Sequence, residues 1–327
     1  KKSKKEKFNK MDDTPKSILN YQKVDSFTRR PDFKGILKLT GYYGDVELDA
    51  FKNCRKRAIK SLKLKVRKEY SFEFYKSSLF QPLNEHLEKL QLSNLNLSFS
   101  IDTEKCLPKL RKLTLEDCRM ETKAEITCFK QLKYLKLKKV EIYRFSTSEW
   151  LENLDNLKFL HLDIKNYYDA TAELNASILK KSTNLKILII DSANIILDLK
   201  CFNHLPNLKE LTLKYIQIKN EDDFWQCINK NLKKFTIYYV KELHIYKLSQ
   251  LINLKELKIV INDSDVSNYR EMLHKEQGID LNPTSNDLCH FILNNLTQLT
   301  KLKLSNCYLT YFDKNVFGKL TKLTHLD

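Results

Sequence analysis

The chain has 327 residues, 42% of them hydrophobic and 11% aromatic, so the composition excludes disorder over most of the length and allows a continuous apolar core. Lysine and arginine number 58 against 41 aspartate and glutamate, and the formal net charge of +17 favours an acidic protein, a nucleic acid or an anionic membrane surface as partner. Only five glycines are present, and neither G-x-G-x-x-G nor G-x-x-x-x-G-K-S/T occurs, so the sequence predicts no phosphate-cradling loop.

The N-terminal segment is lysine-rich, with six lysines in residues 1–10 and no apolar stretch behind them. Residues 1–33 are therefore predicted to be a disordered basic leader or linker rather than a secretory signal. No run of about 18 apolar residues occurs, so no transmembrane segment is predicted in this chain.

From residue 59 onwards the string L-x-x-L-x-L recurs, with Ile or Phe at some positions. Taking the first Leu of each copy as position 1, the copies begin at residues 59, 87, 110, 132, 157, 185, 208, 232, 254 and 299, and the first nine are spaced 22 to 28 residues apart. Such a period predicts stacked repeats in which each copy supplies a short parallel strand and the remaining residues form the crossover to the next.

One spacing breaks the period, because the copies at 254 and 299 are 45 residues apart. Either 262–298 contains a degenerate copy, in which Ile279 and Leu281 fill two inner positions, or it is a polar insertion loop.

The copies resemble the leucine-rich repeat family over residues 34–327. Two segments with the spacing F-x-x-L-x-x-L-x-x-L, beginning at Phe202 and Phe317, are similar to the animal receptor-ectodomain (Toll-like) subclass. The resemblance implies an α/β fold, a right-handed horseshoe solenoid of eleven to thirteen repeats with a concave parallel sheet. Leu323 and Leu326 begin a further copy, so the domain is expected to be truncated at its C-terminal end.

The sequence departs from the family pattern at position 9, where Asn is usual. That position carries Leu95, Cys118, Val140, Ala193, Ile216, Val240 and Cys307. An apolar or thiol column therefore replaces a hydrogen-bonded one, and we expect the turns to vary in shape.

No catalytic or metal-binding constellation is predicted, nor any cofactor, and the chain is not expected to be an enzyme. The eight cysteines, at 54, 106, 118, 128, 201, 227, 289 and 307, form no C-x-x-C and are interpreted as core thiols. Cys201 with His204, and Cys289 with His290, lack the further ligands that tetrahedral zinc requires. His161 and Asp163 have no nucleophile beside them and are interpreted as a surface pair.

The candidate partner-binding surface consists of outward-facing side chains, because positions 3, 5 and 7 of each copy point away from the core. In the middle repeats it comprises Tyr134, Lys136, Lys138, Phe159, His161, Asp163, Ile187, Ile189, Asp191, Glu210 and Tyr238. The aromatic and aliphatic members and His161 are the predicted anchors, and the charged members are the surrounding contacts. In the alternative interpretation, Ile187 and Ile189 belong to a fully buried strand.

The leading hypothesis is a protein-binding scaffold, the ligand-recognition part of a receptor or an adaptor. The alternatives are a basic surface for nucleic acid or anionic lipid, and a substrate-recognition subunit of a ubiquitin ligase. The resemblance favours an extracellular location, with a cytoplasmic one as alternative. Position 2 carries a basic column, namely Arg111, Lys133, Lys158, Lys186, Lys209, Lys233 and Lys255. Such a column need not bind an anion, because solvated lysines at strand edges also keep a protein soluble. A nucleic-acid groove would place basic and stacking side chains on one track, whereas this column contains no aromatic residue.

Overall fold

The computed structural model describes residues 35–42, 59–67, 75–76, 83, 86–98, 107–120, 126, 129–142, 151, 154–166, 172–174, 176–192, 195–219, 221–240, 245–260, 293–305 and 317–327. The predicted leader, residues 1–33, lies outside them. The chain divides into two compact units. Unit 1 comprises residues 1–146, 153–157 and 163–169, and unit 2 comprises residues 147–152, 158–162 and 170–327.

The main sheet of unit 1 consists of one parallel strand from each coil. In order across the sheet the strands are β1 (Ile36–Tyr42), β2 (Ser61–Arg67), β4 (Lys89–Ser93), β6 (Lys112–Glu116) and β8 (Tyr134–Ile142). The register places Leu37, Leu62 and Leu90 side by side, each about 1% exposed. The inward leucines of the repeat therefore form one continuous core column.

A second parallel row in unit 1 follows the main strands along each coil. It contains β3 (Tyr75–Lys76), β5 (Asn96–Ser98), β7 (Arg119–Met120) and the last two residues of β8. Leu97 and Met120 in this row are buried to about 1% exposure. Each of these coils therefore contributes two short strand segments to the unit.

Unit 2 repeats the same plan. Its main sheet has the order β9 (Phe159–Asn166, of which 163–166 belong to unit 1), β11 (Ile187–Asp191), β13 (Glu210–Lys214), β15 (Lys234–Tyr238), β16 (Glu256–Val260), β17 (Lys301–Ser305) and β18 (His325–Leu326). A second parallel sheet contains β10 (Ala172–Leu174), β12 (Ile195–Asp198) and β14 (Gln217–Lys219).

The crossovers of unit 2 carry short helical segments. Among the described residues they include the 3₁₀ turns Ala176–Leu179, Leu199–His204 and Ile245–Gln250 and the α-helix Glu221–Cys227. The α-helix contributes Phe224 to the core, where its ring lies 5.4 Å from that of Phe202. Both rings are at most 2% exposed, so the crossovers as well as the strands supply the core.

The irregular spacing before the copy at 299 is explained by the pairing of β16 with β17. Glu256 is the direct partner of Lys301, and Val260 of Ser305, with no strand between them. A degenerate copy would have placed a strand there, so this register supports the insertion interpretation. Ile279 and Leu281 themselves lie outside the described residues.

The backbone at position 8 of the repeat has a common geometry in five coils. Position 8 is left-handed at Asn94, Asp117, Lys139, Tyr215 and Tyr239, with φ between 46° and 60°. Where described, the position 8 N–H donates to the position 7 carbonyl of the next coil, as from Asp117 to Lys138 at 2.9 Å. The expectation of variable turns is therefore wrong for these coils, because a backbone ladder rather than a position 9 side chain fixes the turn.

A column of asparagines just before position 1 supplies side-chain hydrogen bonds between coils. The Nδ2 groups of Asn156, Asn207 and Asn253 donate to backbone carbonyls of neighbouring coils at 3.0, 3.0 and 3.3 Å. The sequence signal is the dipeptide Asn-Leu at 156–157, 184–185, 207–208, 231–232 and 253–254, which the repeat search did not single out.

Replacing Lys139 by glycine is expected to raise the free energy of unfolding by about 0.5–1 kcal/mol. Lys139 is exposed and has a φ of 52°, a conformation that costs a residue with a Cβ about 1–2 kcal/mol. The larger conformational entropy of glycine in the unfolded chain offsets part of the gain. Urea unfolding measures the change, and the control Lys136→Gly, in the part of β8 before the left-handed residue, should lower stability instead.

Candidate binding faces

The outward side chains of both main sheets lie at alternating positions, as the repeat predicts. In β11 and β13 the leucines and isoleucines at positions 4 and 6 are buried and positions 3, 5 and 7 are partly exposed. All eleven predicted partner-binding residues lie at such outward positions and are partly exposed. The alternative of a fully buried strand is therefore wrong for Ile187 and Ile189, and the binding role of the surface stays a prediction.

Two neighbouring strands of unit 2 bring apolar side chains together. Phe159 is the direct partner of Ile187, and His161 of Ile189, in the pairing of β9 with β11. Adjacent parallel strands lie about 4.8 Å apart. These four residues form a contiguous group, which we call the apolar patch.

The other predicted anchors do not belong to this group. Tyr238 lies on β15, with Lys214 of β13 as its direct neighbour. Its ring is flanked by the ammonium groups of Lys214 and Lys258, whose Nζ atoms lie 5.5 and 4.6 Å from the ring centroid. Tyr134 belongs to unit 1. A common binding role for Tyr134, Tyr238 and the apolar patch therefore stays a prediction.

A tyrosine pair that the sequence analysis missed lies at the turns of unit 2. The rings of Tyr215 and Tyr239, both at position 8, have centroids 5.5 Å apart, and Tyr215 is 46% exposed. Alternation along a strand predicts outward side chains only at positions 3, 5 and 7, and the signal for this pair is tyrosine at position 8 of two successive copies.

Several carboxylates pair with lysines on the outward face of unit 2. Lys214 Nζ lies 2.7 Å from Asp191, and Glu256 is bridged by Lys301 at 2.9 Å and Lys234 at 3.1 Å. Hydrogen bonds donated by Lys301 and Lys234 lower the pKa of the Glu256 carboxyl. Lys303 pairs with Asp327. Exposed pairs of this kind contribute little to stability, so their main effect is to offset charge on this face.

The outward face of unit 1 is more basic. Its five strands present Lys38, Lys63, Lys65, Lys89, Lys112, Lys136 and Lys138, against Glu116 as the one carboxylate at these positions. Glu116 accepts a hydrogen bond from Lys138 at 2.6 Å, which lowers the pKa of Glu116 and raises that of Lys138.

An aromatic ring lies on the same face. Lys112 Nζ is 4.1 Å from the ring centroid of Tyr134, and burial raises the pKa of the Tyr134 hydroxyl. The position 2 column contains no aromatic residue, but this outward face combines lysines and a tyrosine.

The described cysteines are buried or half-buried thiols. Cys118 and Cys201 are at most 1% exposed, and Cys227 is half-buried. Burial raises the pKa of Cys118 to about 11 and also raises that of Cys201, so neither is a thiolate at neutral pH. The core-thiol prediction is confirmed for these two residues, and the cysteines at 54, 106, 128, 289 and 307 lie outside the described residues.

Within the described ranges no group of three or more His, Cys, Asp and Glu side chains could hold a metal ion. His161 belongs to unit 2 and Asp163 to unit 1, and their role as a surface pair stays a prediction. None of the helices described in either unit is long and apolar enough to span a bilayer.

Parallel strands with inward leucines at a period of 22 to 28 residues define the leucine-rich repeat class of solenoid. Two solved structures are similar to this chain. An internalin from Listeria monocytogenes shares 17% identity, covering 86% of this chain and 77% of the internalin, with a TM-score of 0.51. TLR13, in the TLR13–ssRNA13 complex, shares 18% identity, covering 86% of this chain and 41% of TLR13, with a TM-score of 0.52.

No protein-family model matches the sequence, and a search of curated proteins finds no match. At these identities the similar structures establish the fold. Together with the repeat, they show that the chain has the leucine-rich repeat fold, and TLR13 is among its structural neighbours.

Proposed function

We propose that this protein is a non-catalytic binding scaffold that holds a protein ligand on the main-sheet face of unit 2. The observation that carries the proposal is the apolar patch, in which Phe159, Ile187 and Ile189 point outward from a sheet that backbone pairing holds in place. Contiguous apolar side chains at a surface, with polar residues around them, are typical of protein interfaces.

The charges beside the patch support the same proposal. Asp191 and Lys214 form an ion pair at 2.7 Å, and Glu210 is the direct neighbour of Ile187 across β11 and β13. Polar groups at the border of an apolar centre mainly set orientation and association rate, whereas the central side chains supply most of the affinity. His161 and Tyr238 complete the proposed contacts in unit 2, and Tyr134, Lys136, Lys138 and Asp163 remain the proposed contacts in unit 1.

A role as the recognition part of a receptor or an adaptor follows from the same proposal. The TLR13–ssRNA13 complex shows that a protein of this fold class occurs in complex with RNA. In the present chain three of the four patch residues are apolar and Asp191 beside them is paired with Lys214, and these features favour a protein as the ligand of unit 2.

We expect Ile187→Ala/Ile189→Ala to reduce capture of a discrete protein ligand at least tenfold. Outward side chains add little to the core, so the double variant should keep its melting temperature within a few degrees. The immobilised wild type and variant would be incubated with nuclease-treated proteins from the source cells, and the bound proteins quantified by mass spectrometry.

The matched control is Lys209→Ala/Lys255→Ala, at two exposed residues of position 2 in the same unit. This control should capture the same protein in unchanged amount. If the control loses binding while the isoleucine variant retains it, the edge column rather than the patch is the binding surface.

A further inference from the structure

A depression lies on the outward face of unit 1, across β1, β2, β4 and β6. It has a volume of about 180 Å³, many times the 10–15 Å³ that one water molecule needs. Its lining has ten residues, among them Lys38, Lys63, Lys89 and Lys112. None of the ten is acidic, and we call this feature the lysine depression.

The four ammonium groups of the depression lack carboxylate partners. Among the residues that the structure describes, none of Lys38, Lys63, Lys89 and Lys112 forms an ion pair. The nearby Glu116 forms its ion pair with Lys138, and Lys63 acts on the Glu116 carboxyl only at longer range, by lowering its pKa further. Unit 2 differs, because Lys214, Lys234, Lys301 and Lys303 on its face are all paired. Within the described part of unit 1, the positive charge of the lysine depression is therefore not balanced by ion pairs.

The lining also offers hydrogen-bond donors of the kind an oxyanion uses. Ser61 and Thr114 carry hydroxyl groups and Gln91 carries an amide, all on strands whose backbone is fixed in the sheet. Lysine ammonium groups act as point charges that suit phosphate, whereas planar two-point recognition of carboxylates is typical of arginine. No arginine lines the depression.

We propose that the lysine depression binds a compact oligophosphate anion, a ligand that carries several phosphate groups close together. A phosphate monoester carries about 1.5 to 2 negative charges at neutral pH, so a ligand with a few such groups matches four ammonium groups. The site does not depend on the proposed protein ligand, because none of its lining residues belongs to the partner-binding set.

The geometry favours a compact anion over an extended nucleic-acid strand. Strands without base pairing are held by a basic groove together with aromatic side chains on which successive bases stack. Tyr134 is the one aromatic at positions 3, 5 and 7 of β1, β2, β4, β6 and β8, and Lys112 already lies over its ring. The face therefore offers charge without a series of stacking surfaces.

Isothermal titration calorimetry with sodium tripolyphosphate at low salt tests the proposal. We expect saturable binding of one tripolyphosphate per chain, weakening as salt is raised because the contacts are ionic. Lys63→Gln/Lys89→Gln should reduce the affinity at least tenfold. The matched control Lys209→Gln/Lys255→Gln removes the same charge from exposed positions of unit 2 and should stay within twofold of the wild type.

Competing anions distinguish the ligand classes. Inorganic phosphate should bind more weakly than tripolyphosphate, and a glutamate peptide of equal charge should compete poorly. Equal losses in the two variants would overturn the site, because net charge alone would then explain binding. Tighter binding of the glutamate peptide, or of an oligothymidylate when tripolyphosphate does not bind, would also overturn the oligophosphate assignment. Thermal melts of both variants establish that each remains folded.

Discussion

Replacing Phe224 by alanine is expected to lower the free energy of unfolding by about 3–5 kcal/mol. The side chain is 0% exposed, and its ring centroid lies 4.8 Å from that of Trp225 and 6.1 Å from that of Phe235. Truncation removes apolar surface from the core and leaves a cavity, because the surrounding strands are held by backbone pairing and can close it only in part.

Urea unfolding followed by tryptophan fluorescence is a suitable measurement, since Trp225 adjoins the substituted residue. Phe224→Leu provides a graded control that keeps most of the apolar volume and should lose less than half as much stability. A loss below about 1 kcal/mol for Phe224→Ala would show that this aromatic cluster does not hold the crossover in place.

The position of Phe224 shows where sequence reasoning reaches its limit in this fold. The strands could be predicted because the inner positions recur at a fixed spacing and each inward leucine needs a neighbour in the next coil. The crossovers have no such period, so nothing in the sequence distinguished Phe224 from an aromatic residue in a loop. The helix Glu221–Cys227 that carries it therefore had to be read from the structure.

The candidate binding residues show the same division. Outward positions followed directly from alternation along each strand, and the structure places all eleven residues there. Their grouping did not follow, because it depends on which outward positions become neighbours. Strand β13 lies between Tyr238 on β15 and the apolar patch, a relation that appears only once the register of β11, β13 and β15 is known.

The lysine depression was missed for a different reason. β1 carries inner leucines at positions 4 and 6 but has Lys34 where position 1 would fall, so the repeat search did not count it. The copy at residue 59 follows the repeat, but its outward residues Ser61 and Lys63 precede the middle repeats, on which the candidate surface was predicted. The first strand of the lysine depression therefore could not be predicted from the repeat, because its copy lacks an apolar residue at position 1.

We expect the stability of the protein to fall steeply between pH 9 and 11 because of its buried thiols. Burial raises the pKa of Cys118 from an ordinary value of 9.0 to about 11. Over this interval the unfolded chain releases the thiol proton while the folded chain retains it, so the stabilisation is complete below pH 9 and is lost as pH rises towards 11. Two pH units correspond to about 3 kcal/mol.

The contribution of Cys118 can be isolated by comparing the wild type with Cys118→Ala across that pH range. Lysine and tyrosine residues also titrate there, but they do so in both proteins and largely cancel in the difference. Alanine at this position should cost about 1 kcal/mol at pH 7, since Cys118 packs as a small apolar group. The gap between the two proteins should close and then reverse towards pH 11, because only the wild type has a thiol to ionise. Parallel pH profiles for urea unfolding would mean that Cys118 ionises as readily in the folded state as in the unfolded chain, and that its environment is not the dry core the structure shows.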